Sequence, residues 1–246
     1  MSGLLILALL TFLVALIYSS VGHGGASGYL AVLSFFAVPH EAMAASALCL
    51  NLLVAGLSFF IYKKARHFDG GLTWPFVLTS VPAAFLGGLM KIPAALYAFL
   101  LAGALSLAAL RLLIDLDKNT GPIKGRPPLG IAMMIGGLVG VLSGVVGVGG
   151  GIFLSPILIL CHWAEPKKTA AASAFFILVN SASGLLGRLL RGSLQWSPSL
   201  SSMILAAFLG GLLGSRLGAR TFPSLWLRRI LAFVLFLAVF KLIRTA

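Results

Sequence analysis

No lysine or arginine occurs before Lys63, and ten apolar segments follow one another along the chain. They fall near 3–20, 26–38, 41–63, 72–90, 94–115, 128–146, 151–163, 167–188, 198–220 and 225–244. Runs of roughly 18 to 23 apolar residues match the helix length that crosses a hydrocarbon core. The short alternating segments of a membrane β-barrel are absent. Charged side chains make up 9% of the 246 residues and hydrophobic ones 60%, whereas a soluble domain carries about 25% charged residues. Too few polar side chains exist to cover a water-facing particle. The expected fold is an all-α polytopic membrane protein, multi-pass, in the cell inner (plasma) membrane.

The net charge of +13 does not signal nucleic acid. Basic residues collect at segment ends, as at Lys63, Lys64 and Arg66 or Arg228 and Arg229, without interleaved aromatics. That pattern serves positive-inside topology and anionic headgroups. Met1 to Ile17 lacks the basic n-region of a signal peptide and reads as a retained helix. Cys49 and Cys161 each lie in an apolar stretch and read as small buried hydrophobes.

Four matches in the same order divide the chain into repeats. Gly22-His23-Gly24-Gly25 corresponds to Gly147-Val148-Gly149-Gly150. Pro39 and Ser46 correspond to Pro166 and Ser173, and Leu72-Thr73-Trp74 to Leu194-Gln195-Trp196. Ala83-Ala84-Phe85-Leu86-Gly87-Gly88-Leu89 recurs unchanged as Ala206 to Leu212. A nearly constant spacing across four sites marks an internal duplication. The expected organisation is a first transmembrane repeat over 1–116, a linker over 117–127 that includes Asp117 and Lys118, and a second repeat over 128–246.

In each half the second segment, 26–38 or 151–163, is only about 13 residues long, too short to span. Each follows a glycine cluster and precedes a proline, and each reads as a broken, partly re-entrant helix. Counting it as a return gives each half an odd number of passes, so the repeats are expected to be inverted. With both termini outside, twelve Lys and Arg fall on the cytoplasmic side. Five fall outside: Lys91, Arg188, Arg191, Lys241 and Arg244.

Facing N-termini of two broken helices would offer unpaired N–H groups and partial positive charge to an anion. Candidate substrate-binding residues are Gly22, His23, Gly24, Gly25 and Ser27 in the first half, and Gly147, Gly149, Gly150, Gly151 and Ser155 in the second. Asn51 and Asn180 join them as mid-helix amides at nearly equivalent places; the bland reading is helix glue. The anion is expected to rest on backbone and not on the basic side chains. His23, which has Val148 as its counterpart, is a candidate for proton coupling or a neutral hydrogen-bonding residue. Glu41 and Glu165 are expected to cap helix starts. Gly87, Gly88, Gly103, Gly136, Gly137, Gly210, Gly211 and Gly214 are expected to permit close helix packing. Carboxylates are missing from the middles of the segments, which disfavours a cation pump or sodium cage. No metal and no cofactor are expected.

The run Gly144-Val145-Val146-Gly147-Val148-Gly149-Gly150-Gly151-Ile152-Phe153-Leu154-Ser155-Pro156, followed by Pro166-Lys167-Lys168 and by Ala172-Ser173-Ala174 leading to Asn180, resembles the TauE/SafE sulfite-exporter family. Gly22 to Tyr29 resembles the matching part of its first half. The resemblance covers most of the chain and implies movement of sulfite or other small sulfur-containing or organic anions, commonly outward. It carries the family's glycine clusters onto 22–25 and 147–151.

The expected activity is therefore secondary transport of a small anion by alternating access, not enzymatic. A passive anion channel shares every static feature. An intramembrane serine protease is a further alternative, because Gly25-Ala26-Ser27-Gly28 resembles a nucleophile turn. Expected partners are the anion and the lipid bilayer, with a homodimer left open.

Overall fold

The computed structural model describes residues 2–36, 38–113, 122–192, 199–220, 232–233, 235–240 and 243. Helices α1 (Ser2–Ser19), α2 (Ala26–Phe35), α3 (His40–Lys64), α4 (Gly70–Leu89) and α5 (Ala94–Leu113) form the first half. In the second half, α6 (Leu129–Val146), α7 (Gly151–Leu160), α8 (Pro166–Leu190) and α9 (Leu200–Arg220) follow. They match the first nine apolar segments to within a few residues. Most of the tenth, 225–244, lies outside the described residues. So do Leu194, Gln195 and Trp196 of the repeat, linker residues 117–121, and Arg228, Arg229, Lys241 and Arg244.

Among the described residues five helices, α3, α4, α6, α8 and α9, are long and apolar enough to cross a membrane. Exposed leucine and phenylalanine side chains such as Leu5, Phe60 and Phe99 cover the outside. A surface of that kind is what lipid solvates and water does not. The chain is a multi-pass membrane protein.

Lengths recur between the halves: α1 to α4 have 18, 10, 25 and 20 residues, and α6 to α9 have 18, 10, 25 and 21. The short helices are ten residues, less than the expected thirteen or so. Both stop well before the next proline. The residue preceding a proline is disfavoured in helical conformation, and in the second half the chain turns earlier still, with His162 at φ 57.

The halves interleave. α4 packs on α6 and α8, while α1 and α3 pack on α9. On α6, a Cβ added to Gly136, Gly140 or Gly144 would strike the backbone of Phe76, Ser80 or Ala84 on α4. The partners advance together, so α4 and α6 run parallel. Gly210, Gly214 and Gly218 meet Phe12, Leu16 and Ser20 in the same way, making α1 and α9 parallel. Thr79 adds a hydrogen bond to the Met133 carbonyl at 2.6 Å and Ser183 one to Val81 at 2.6 Å. In lipid, close backbone approach and such polar ties hold helices together, since apolar burial gives little preference for protein over tails.

Of the glycines expected to pack, Gly87, Gly88, Gly136, Gly210 and Gly214 meet facing backbone and Gly211 meets Val54. Gly103 does not: among the described residues nothing lies within 4 Å of its added Cβ, and Gly137 has only Thr79 at 3.9 Å. Both therefore face away from the close contacts.

At the centre α3 crosses α8. Gly56 meets Leu178, Asn51 meets Ser181, and Leu48 meets Gly184, so this pair is antiparallel.

Candidate functional site

α1 and α6 end in tight turns that lead to the short helices. Gly25 and Gly150 stand at the N-caps of α2 and α7 with φ 95 and φ 84, a left-handed backbone that glycine adopts without strain. Neither cap uses a side chain of its own. The unpaired N–H groups of a buried helix start need partners from elsewhere.

For α2 the partner is Asn51, in the middle of α3 and fully buried. Its Oδ1 accepts from the Ala26 N–H at 3.1 Å, while its Nδ2 donates to the Val148 carbonyl at 3.2 Å and lies 3.4 Å from Ser181 Oγ. One amide thus joins the two glycine turns. A methyl group on Gly24 would collide with Oδ1, and one on Gly149 would lie 2.5 Å from Nδ2. Ile177 closes the same space, touching the Cβ positions of Gly24, Gly149 and Gly151.

His23 lies beside this junction, 5% exposed. Nδ1 is 3.0 Å from the Val21 carbonyl and Nε2 is 3.0 Å from Ser155 Oγ on α7. A carbonyl only accepts, so the proton sits on Nδ1. In the neutral ring Nε2 then accepts from the Ser155 hydroxyl. Protonation would reverse that bond and place a positive charge between the halves.

Ser155 also lines a narrow cavity of ≈ 20 Å³ with Ser20, Tyr62, Lys167 and Thr169. That volume is on the scale of one water. The cavity lies near the C-terminal end of α3 and the start of α8, where Lys63, Lys64, Lys167 and Lys168 gather. His67 in the adjoining loop has its pKa lowered by partial burial, then by Lys167 and Lys168, with Glu165 opposing.

The candidates from sequence separate into groups. Gly24, Asn51 and Gly149 meet, and His23 meets Ser155. Gly22 packs on Ala170, Gly25 on Tyr29, Gly147 on Ala44, Gly150 on Phe176 and Gly151 on Ile177. Ser27 donates to the Tyr18 hydroxyl at 2.7 Å.

Asn180 is not the structural counterpart of Asn51. Asn51 stands 11 residues after the first residue of α3 (51 − 40), and in α8 that position is Ile177 (177 − 166). Asn180 donates to the Phe176 carbonyl of its own helix at 2.8 Å, and its buried Oδ1 has no partner among the described residues.

Two further expectations change. Glu41 makes no side-chain cap; its carboxylate pairs with Arg188 at 3.1 Å and with Arg191. Glu165 does occupy the N-cap of α8 but forms no side-chain cap bond. Arg188, counted from sequence among the outer-side charges, is 4% exposed because Glu41 and two backbone carbonyls draw it inward. Ile177, Ser181 and Tyr18 are the site neighbours that sequence reasoning missed. An isoleucine or serine in an apolar helix carries no signal that distinguishes it from its neighbours.

A family model described as sulfite exporter TauE/SafE matches residues 7–242. The chain is 32% identical over 243 residues to a probable membrane transporter protein, y4hK, of Sinorhizobium fredii, covering 96% of this chain and 97% of that protein. The probable membrane transporter protein YunE of Bacillus subtilis is 30% identical over 90 residues, 37% of this chain and 33% of its own length. Sulfite exporter TauE/SafE family protein 2 of Arabidopsis thaliana is 32% identical over 100 residues, 41% of this chain and 21% of its own. No solved structure matches.

Proposed function

This chain belongs to the TauE/SafE sulfite-exporter family of membrane transporters, and on that premise we propose that it is a secondary transporter, working as an exporter, for sulfite or a related small sulfur-containing or organic anion across the inner membrane. The observation that carries the reading is the convergence of both glycine turns on Asn51. The start of a helix binds anions through its free N–H groups. Asn51 Oδ1 accepts the Ala26 N–H in the conformation at hand, so an amide oxygen stands where an anion's oxygen would bind. Rotation of that side chain frees the donor at the moment cargo arrives.

Two inverted halves moving by alternating access are supported by helix direction. α1 runs parallel to α9 and α4 to α6, and the central pair α3 and α8 runs antiparallel. The cavity beside Ser155 and Lys167 is the approach from the positively charged face, taken as cytoplasmic. His23 would couple a proton to cargo through its bond to Ser155.

Proteoliposomes loaded with sulfite provide the test. Saturable counterflow that rises with an imposed proton gradient is the expected result. Ohmic anion current without counterflow would replace the transporter with a channel.

A further inference from the structure

A second concentration of charge lies at the C-terminal end of α8. Arg188 is 4% exposed, and its Nη1 donates to Glu41 Oε2 at 3.1 Å. Its Nη2 donates to the carbonyls of Gly144 and Val145 at 3.1 and 2.7 Å. The Nε–H is buried and has no partner among the described residues. Arg191 donates to the same Oε2 from one nitrogen and to the Met90 carbonyl from another. His40 Nε2 is 3.9 Å from the other carboxylate oxygen and is 40% exposed.

Two guanidinium groups therefore share one carboxylate oxygen. A formal charge of +1 remains, offset in part by about half a negative charge from the end of α6. Buried ions persist when every N–H finds an acceptor, and one here has none. A guanidinium presents Nε and one Nη as a parallel fork that suits two oxygens of one anion. Glu41 meets Arg188 through Nη1, on the edge away from Nε, while Nη2, the other member of that fork, is held by the Gly144 and Val145 carbonyls. The Glu41 side chain is 27% exposed, so it can withdraw, whereas the Arg188 side chain at 4% cannot.

The feature belongs to one half only. Arg188 stands 22 residues after the first residue of α8 (188 − 166), and in α3 that position is Tyr62 (62 − 40). Tyr62 donates to the Ser20 carbonyl and lines the cavity near Lys167. Since α3 and α8 are antiparallel, Arg188 and Tyr62 mark opposite ends of the protein.

We propose that Arg188 and Arg191 form a second site for a small oxyanion or carboxylate, occupied in this conformation by the Glu41 carboxylate, which cargo displaces on its way to that face. The word cargo rests on the transporter reading above; the site does not. Glu41 acts as a tethered competitor that keeps the exit filled until an anion arrives.

Equilibrium dialysis of the purified full chain against radiolabelled sulfite near neutral pH tests this. Wild type should bind one sulfite per chain, lost in Asn51→Ala. Glu41→Gln should bind a second, retained when Asn51→Ala is added and weakened at least tenfold when Arg188→Gln is added. If Glu41→Gln does not fold, Glu41→Asp shortens the arm and is read the same way. An unchanged stoichiometry in the Glu41 variant that folds, or extra sulfite that survives Arg188→Gln, overturns the second site. Should wild type bind none while Glu41→Gln binds one that needs Arg188, the second site stands and the glycine-turn reading falls.

Discussion

Nε2 of His23 and Oγ of Ser155 lie 3.0 Å apart although 132 residues separate them in the chain. The bond links the first glycine turn to the second turn of α7, and Ser155 faces the cavity on the lysine-rich side. Ser155 thus touches both that cavity and the imidazole ring. That arrangement turns proton coupling from a general idea into a measurement on two residues.

His23→Gln keeps a side chain able to accept from Ser155 and removes the titration. Counterflow rates in this variant should lose their dependence on pH across the neutral range. Retention of the wild-type pH profile would exclude His23 as the coupling group.

Asn51→Ala removes the acceptor for Ala26 N–H and the donor for Val148 C=O in a buried place. Leaving such groups unsatisfied costs about 1–3 kcal/mol, so thermal stability in detergent should fall together with sulfite binding. Asn180→Ala loses a bond within its own helix and should bind sulfite as wild type does. Equal losses in the two variants would contradict the placement of Ile177 as the counterpart of Asn51.

Gly149→Ala meets both a left-handed backbone at φ 80 and the Asn51 amide. Gly103→Ala meets nothing within 4 Å among the described residues, on an exposed face of α5. The first should abolish uptake into proteoliposomes. The second should leave uptake intact and raise stability by about 0.8–1 kcal/mol, the helix preference for alanine. Loss of uptake in Gly103→Ala would point to a contact that the fold does not provide.

His67 has its pKa held below the ordinary 6.5 by partial burial and by Lys167 and Lys168. The unfolded chain therefore binds this proton at a higher pH than the folded one, and stability falls as pH drops below 6.5. Solvent screening keeps the effect modest. His67→Gln should lose less melting temperature than wild type on acidification, as read by a thermal-shift series. An identical acid-side loss in both proteins would assign the effect to other groups.

Several helix starts were legible because a residue there has a physical reason to begin one, such as Gly25 before α2, Pro39 before α3 or Pro166 at the start of α8. The glycine turns were legible because only glycine tolerates the backbone at Gly25 and Gly150. Partners across the chain were not. Glu41 and Arg188 are 147 residues apart, and nothing in either local sequence names the other. Asn180 misled for a related reason: an amide three positions from the true counterpart sits nearly a full turn further along the helix, beyond the glycine turns, which a search for matching residue types does not register.

The interleaving of helices sets the order in which the protein can be completed. α1 and α4 find their closest partners in α9 and α6, so they leave the ribosome long before the surfaces they pack on have been synthesised. Stripes such as Gly87 and Gly88 must wait in the bilayer against lipid or a chaperone, without competing self-association. Synthesis stopped after α5 would leave an orphaned half with its small-residue seams unfilled, a natural substrate for membrane quality control.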